Sequence, residues 1–362
     1  MNRNDPMRRL AVALGAMLLA GVMLAGGCET NIGNPKIAVN LPEKYNTPDG
    51  MTVDAHNNII LSVPNINDPN YPAVMLSISP TDQITEIVQL PVHPDTKRAI
   101  PLGVAVGSDG NLYISDSQGF VTDEHKSRVF RVVMKDGKAQ KVEVVATGLV
   151  MANGLVACGD MIYVCDSKLD PNAYPVPSGV YGFKISELSG DKPYHVRPYR
   201  MSQSSDLPDP HLAIHFTTKN KDWQVGANGL GFDNEGNMIV CNFGDAQLIL
   251  GKMGADGKVA SWKVAAEGQG MKSCDGLSVD RKTGDVYVAD FLGNAIHRVN
   301  LKTGKVTTVA KNGNTDGADG SLDRPSEPCV RGDKVYVSNI DLPLAGNTYD
   351  KPHTMSVINV GQ

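Results

Sequence analysis

Apolar and polar positions alternate in short runs along this chain, and one such run returns six times: PDGMTVDAHNNIILSV (48–63), PLGVAVGSDGNLYISD (101–116), ANGLVACGDMIYVCD (152–166), ANGLGFDNEGNMIVCN (227–242), CDGLSVDRKTGDVYVAD (274–290) and SEPCVRGDKVYVSN (326–339). Each copy predicts a small apolar strand opened by Gly (Pro in the last), a tight turn of Gly, Asp or Asn type, and a second strand ending in a small residue followed by a polar one. Recurrence at roughly 50-residue spacing marks a repeat architecture built of short strands. Two more strand-like runs follow the phrase, such as VFRVVM and KVEVVAT in the second unit and AIHRVNL and KVTTVA in the fifth. Four strands per unit make a propeller blade rather than a two-strand solenoid rung. The last unit offers only TMSVINV after its phrase, while KIAVNLP stands before the first one. Pairing that N-terminal strand with the last blade closes the ring and removes the exposed edges. The pattern thus predicts one all-β domain over 36–362, a six-bladed β-propeller with four antiparallel strands per blade. One connection, between the third and fourth copies, is longer than the others and reads as an insertion.

Composition narrows the picture. The chain holds 37 Gly and 22 Pro, charged residues are 20%, and helical periodicity is sustained only near the N-terminus, as an all-β repeat requires. Residues 1–27 read as an export leader: Arg3, Arg8 and Arg9, an apolar stretch, then LAGGC. A cysteine at that place resembles the lipobox of bacterial lipoproteins, so Cys28 is the expected site of acylation and 28–35 a tether. An exported outer-membrane lipoprotein or periplasmic protein is the expected location, with the membrane as a partner through the lipid. Losing Arg3, Arg8, Arg9 and Asp5 with the leader takes the net charge from −5 to −7. With no basic patch interleaved with aromatics, nucleic acid is not an expected partner. Cys165 and Cys241 occupy the place held elsewhere by Ser62, Ser115, Ala289 and Ser338, a position for a small side chain between closely packed blades. Cys274 and Cys329 fall on adjacent blades, where a bridge is conceivable in an oxidising compartment.

The residue before each strand-opening Gly or Pro is Asp49, Leu102, Asn153, Asn228, Asp275 and Glu327. The first strand of every blade lines the central channel, so these six side chains should converge at one mouth, five of them carrying a carboxylate or carboxamide. Turn chemistry explains any single Asx-Gly, but not five of six, nor Glu327. A second circle, Val63, Asp116, Asp166, Asn242, Asp290 and Asn339, ends the second strands at the same face. Each taken alone reads as an acceptor for a neighbouring loop; together the two circles would crowd up to six carboxylates near one axis, which calls for a neutralising ion. Oxygen donors spread over separate blades, without clustered His or Cys, suit Ca²⁺ or another hard divalent cation. The eight histidines are scattered, and only His211 and His215 are near each other.

The order acid, none, Asn, Asn, Asp at successive blades, written PDG, PLG, ANG, ANG and CDG, resembles the senescence-marker-protein/gluconolactonase superfamily, with a more distant likeness to diisopropyl-fluorophosphatase and the paraoxonases. The resemblance implies that Asp49, Asn153, Asn228 and Asp275 bind a catalytic divalent metal, usually Ca²⁺, with Asp275 as the base. Asp49 stands where the family usually has Glu, and Glu327 in the sixth blade is a further carboxylate able to compensate. A small-molecule substrate, a lactone or related ester, is implied, with Tyr71, His125, Tyr174, Tyr349 and His353 of the long mouth loops as expected contacts. Two other readings stay open at this point: an NHL-like binding propeller, for which the fifth unit reads well, and a strictosidine-synthase-like lyase or condensing enzyme.

Overall fold

The computed structural model describes residues 33–199 and 208–361; the leader and Cys28 lie outside them. Strand β1 (Lys36–Leu41) comes first in the chain but belongs to the last blade. Blade one is β2 (Met51–Val53), β3 (Ile59–Val63), β4 (Val74–Ile78) and β5 (Ile84–Gln89), and blade two is β6 (Pro101–Val106), β7 (Leu112–Asp116), β8 (Ser127–Lys135) and β9 (Lys138–Leu149). Blade three contains β10 (Ala152–Cys158), β11 (Met161–Asp166) and β12 (Val176–Lys184); its outer strand β14 (Leu212–Thr218) follows a two-residue strand β13 (Tyr194–His195). Blade four is β15 (Ala227–Phe232), β16 (Met238–Asn242), β17 (Gln247–Met253) and β18 (Val259–Glu267). Blade five is β19 (Leu277–Val279), β20 (Val286–Asp290), β21 (Ala295–Asn300) and β22 (Lys305–Lys311). Blade six takes β23 (Pro325–Arg331), β24 (Lys334–Asn339) and β25 (His353–Asn359), and β1 completes it, antiparallel to β25 from Lys36 opposite Val357 to Leu41 opposite His353. The six-bladed ring closed by the N-terminal strand is therefore the observed fold.

The second strand of every blade is buried along its apolar run, Met161 at the start of β11 excepted, because both of its faces meet a neighbour. In β7, Leu112 and Ile114 pack toward blade one, while Tyr113 between them packs toward blade three. Six apolar clusters result, one for each interface between neighbouring blades. The position read as needing a small side chain is fully buried in all six copies, at Ser62, Ser115, Cys165, Cys241, Ala289 and Ser338. Ser62 Oγ donates to the Leu102 carbonyl of the next blade at 2.6 Å, and Ser115 Oγ donates to the Asn153 carbonyl. The five described cysteines are free. Cys274 packs between blades four and five and Cys329 between blades six and one, so they occupy different interfaces and do not pair.

The long connection is placed differently from the sequence reading. It lies inside blade three, between β12 and β14, rather than between blades three and four. From there β13 crosses to the outer edge of blade two and pairs in parallel with β9, Tyr194 opposite Ala146. The buried Asp209 carboxylate draws the segment together by accepting from Tyr194 Oη and from the Arg197 and His211 amides.

Candidate functional site

Around the axis the inner strands of five blades approach so closely that only glycine fits at the opening position. A Cβ added at Gly154 would lie 2.1 Å from the Asn228 carbonyl oxygen, and one at Gly229 would lie 2.4 Å from that of Asp275. The same contact runs from Gly50 to Leu102, from Gly103 to Asn153 and from Gly276 to Ser326. Backbone spacing of this kind, below any real Cβ contact, is what brings the residue before each glycine into a single ring.

Asp49, Leu102, Asn153, Asn228 and Asp275 all line one cavity of about 1020 Å³. The sixth ring member corrects the sequence alignment. Pro325 pairs with Asn339 and Pro328 with Val337, just as Ala152 pairs with Asp166 and Leu155 with Val164. Ser326 is therefore the counterpart of Asn153 and lines the cavity, while Glu327 stands where the other blades have glycine. Alignment on the turns Gly159–Asp160 and Gly332–Asp333, instead of on the strand-opening Pro, would have found this register. Glu327 is not part of the cavity wall: its carboxylate lies over Gly276.

Three carboxylates nonetheless act on one another here. Burial raises Asp49 to about 7, against the pull of the Ser326 hydroxyl. Burial and then the Asp49 charge push Asp275 well above the ordinary carboxylate range, against the Asn228 side chain that holds it down. Glu327 is raised well above its usual value by burial, then by Asp49 and Asp275. No lysine or arginine among the described residues contributes to keeping any of the three ionised. Two carboxylates and two carboxamides facing a cavity, with a third carboxylate behind them, form an oxygen-only donor set that fits a hard divalent cation; Lys168 and Lys221 also line the cavity but do not act on these carboxylates.

The second circle is turned outward, away from this role. Asp116 accepts from the Ile100 amide at 2.7 Å and from Arg128 Nε at 2.7 Å. Asp166 takes the Val150 and Met151 amides, and Asn339 Oδ1 takes the Asp323 amide. Asn242 Oδ1 accepts from Thr218 Oγ. Asp290 accepts from the Lys272, Ser273 and Gly293 amides, Ser273 Oγ and His297 Nε2. In four of the six blades this residue latches the loop that leads into its own inner strand, so six carboxylates do not crowd the axis.

Asp290 carries the clearest consequence. Burial alone would raise it, but the bonds from His297, the Lys272 amide and Ser273 outweigh burial and leave it below 3.8. A depressed carboxylate contributes stability that is present above its unfolded value and lost as the pH falls through its folded value. Asp290→Asn, which cannot accept the same set, should cost roughly 2–4 kcal/mol near neutrality. It should also lack this part of the acid-side loss, as urea unfolding at a series of acid and neutral pH values would show. An unchanged midpoint at neutral pH would refute the latch.

The cavity has an apolar and aromatic part, Phe120, Trp223, Phe243 and Phe291 with Met151, Ile66, Ile340 and Leu342, beside the charged side chains Asp123, Glu124, Lys168, Lys221 and Asp222. Trp223 stands 6.1 Å from Phe243 and Phe243 6.4 Å from Phe291, ring to ring. Long loops after the second strand do reach the mouth in blades one, two, three and six, but the side chains expected as substrate contacts are not on the wall. Tyr71, His125, Tyr174, Tyr349 and His353 all lie outside it. His353 is buried and stacks on Tyr349, His125 Nδ1 is bonded to the Gly148 carbonyl, and Tyr174 Oη donates to the Lys219 carbonyl. The wall uses the residue that directly follows the second circle, as in Phe243, Phe291 and Ile340, and the 219–226 connection that carries Trp223. The repeated phrase contained the first signal one position beyond its end.

No family model matches the chain, and no curated protein matches it in sequence. Solved structures match over its length. A gluconolactonase of Xanthomonas campestris is 14% identical, over 94% of this chain and 99% of that one, with a TM-score of 0.52. A luciferin-regenerating enzyme is 11% identical, over 91% and 95%, with a TM-score of 0.59. The PQQ-bound aldose sugar dehydrogenase of Streptomyces coelicolor is 14% identical, over 92% and 99%, with a TM-score of 0.58. At these identities the likeness is one of fold. The first two are propellers of the group that the blade pattern resembles, and the third shows the same architecture carrying a different chemistry.

Proposed function

We propose that this protein is a Ca²⁺-dependent hydrolase of the gluconolactonase type, acting on a lactone or related ester. The observation that carries the reading is the convergence of Asp49, Asn153, Asn228 and Asp275 at the base of one cavity, where the carboxylates have no cationic side chain to neutralise them. Those four residues would hold the ion, with Glu327 adding negative charge from behind. A divalent cation bound there supplies Lewis-acid polarisation of a carbonyl oxygen. Asp275 supplies the carboxylate that takes a proton from water, and the neighbouring Asn228 side chain favours its ionised form. Phe120, Phe243, Phe291 and Trp223 enclose the apolar part of a substrate and thin out bulk water above the ring. Export and a lipid anchor at Cys28 would place this activity outside the cytoplasm.

The test is a panel of aliphatic lactones, sugar lactones and aryl esters, assayed with calcium and after chelation. Calcium-dependent turnover of at least one class is expected. If no lactone or ester is turned over by calcium-loaded protein, the hydrolase reading fails and a binding propeller takes its place.

A further inference from the structure

A second group of carboxylates lies away from the axis, on the mouth side of blade six. Asp323 precedes β23, Asp341 follows β24, and Asp350 precedes β25, yet one ligand oxygen from each lies within 4.8 Å of the other two. Among the described residues this is the one trio of acidic, His or Cys side chains so closely gathered. Asp323 and Asp341 are 3% and 4% exposed, so water does not screen them.

The hydrogen bonds do not account for these oxygens. Asp341 is satisfied by its own loop, through Asn347 Nδ2 at 2.8 Å and the Asp350 amide at 3.1 Å. Asp323 Oδ1 and Asp350 Oδ1, both buried atoms, have no partner among the described residues. The positive charge that bears on Asp323 is Arg324; its Nη atoms donate to the Phe291, Leu292 and Ala345 carbonyls, and its buried Nε, like Asp323 Oδ1, has no partner among the described residues. A buried acceptor left unpaired beside two more carboxylates is costly unless a cation or a shared proton neutralises the group.

We infer that Asp323, Asp341 and Asp350 form a second divalent-cation site, of the calcium class, that clamps the 340–352 loop to the segment leading into β23 of blade six. The donors are oxygens only, Asp323 from the segment before β23 and Asp341 and Asp350 from the two ends of the loop between β24 and β25, which suits a large ion of flexible coordination and disfavours zinc. The clamp bears on the cavity, because Ile340, Leu342, Pro343 and Leu344 of the same loop line it. It also bears on ring closure, because the Asp341 carbonyl accepts from Asn67 Nδ2 of blade one at 2.9 Å.

The site is separable from the axial one by counting ions. Chelator-treated mature protein would be titrated with calcium by calorimetry, as wild type, Asp323→Asn, an axial Asp49→Asn/Asp275→Asn double variant, and the combination. Loss of one bound calcium per chain in Asp323→Asn is the expected result, whatever the wild-type count, and Asp350→Asn gives the same reading should Asp323→Asn not fold. If the axial site is absent, wild type binds a single ion that Asp323→Asn abolishes, which supports this site while refuting the other. An ion count unchanged by Asp323→Asn and Asp350→Asn overturns the inference. So does an unchanged count with a higher melting temperature in calcium-free Asp323→Asn, which would identify a carboxyl pair sharing a proton.

Discussion

Asp275→Asn should keep a weakened affinity for calcium and lose about 10²–10⁴-fold in turnover at saturating calcium, the range that general-base assistance supplies. The substitution preserves size and one oxygen ligand but removes charge and basicity. It spares the backbone, where the Asp275 carbonyl accepts from the Gly229 amide and the Asp275 amide donates to the Ala289 carbonyl. A fall in turnover without a comparable fall in bound calcium therefore reports the proton and not the ring. Leu102→Ala is the control from the same circle. Leu102 lines the cavity but carries no polar atom, and it is 2% exposed, so its truncation should cost about 2–5 kcal/mol of stability and leave the chemistry in place. Full activity in Asp275→Asn on any ester that wild type hydrolyses would remove this residue from the mechanism.

Calcium should raise the melting temperature of chelator-treated protein. A ligand that binds only the native state at a hundredfold excess over its Kd contributes about 2.7 kcal/mol, which for roughly 320 ordered residues is about 4 °C for one site. Asn153→Ala should blunt the rise by removing a ligand from the axial ring. The sign of the pH dependence follows from the raised carboxylates. Asp49 at about 7 in the folded chain holds a proton that the unfolded chain has already lost, so its contribution to metal-free stability is complete below its unfolded value and disappears as the pH rises through about 7. Calcium must displace that proton, so its stabilising effect should be larger at about pH 8 than at about pH 5. An identical melt with and without calcium at the higher pH would take the ion out of both proposed sites.

The ring shows why some of the candidate site could be read in advance. Five of its six members, Asp49, Leu102, Asn153, Asn228 and Asp275, were identifiable because each precedes a glycine that the close approach of inner strands demands. The sixth was not, because Ser326–Glu327–Pro328 satisfies the local pattern in two registers. Only pairing across β23 and β24, with its irregularity between Pro325 and Glu327, selects one. The aromatic wall escaped for a different reason. Phe243 and Phe291 look like ordinary core residues in a strand-end context, and the loop tyrosines and histidines looked more like binding groups. Which loop residues turn inward depends on how far each loop folds back over its own blade.

The number of blades, their four-strand make-up, the closure by residues 36–41 and the axis on which the Asx residues meet are all written in the order of residues along the chain. Those properties follow from period-two alternation, turn chemistry and the need to pair every edge, all of which are local or repeat with the unit. The tertiary structure alone decided that the long connection lies inside blade three and reaches across to blade two, and that Asp116, Asp166 and Asp290 serve their loops instead of also crowding the axis. It also decided that Asp323, Asp341 and Asp350 meet. These outcomes depend on where a loop travels and on which buried groups find partners, and such contacts between distant segments leave no periodic trace in the chain.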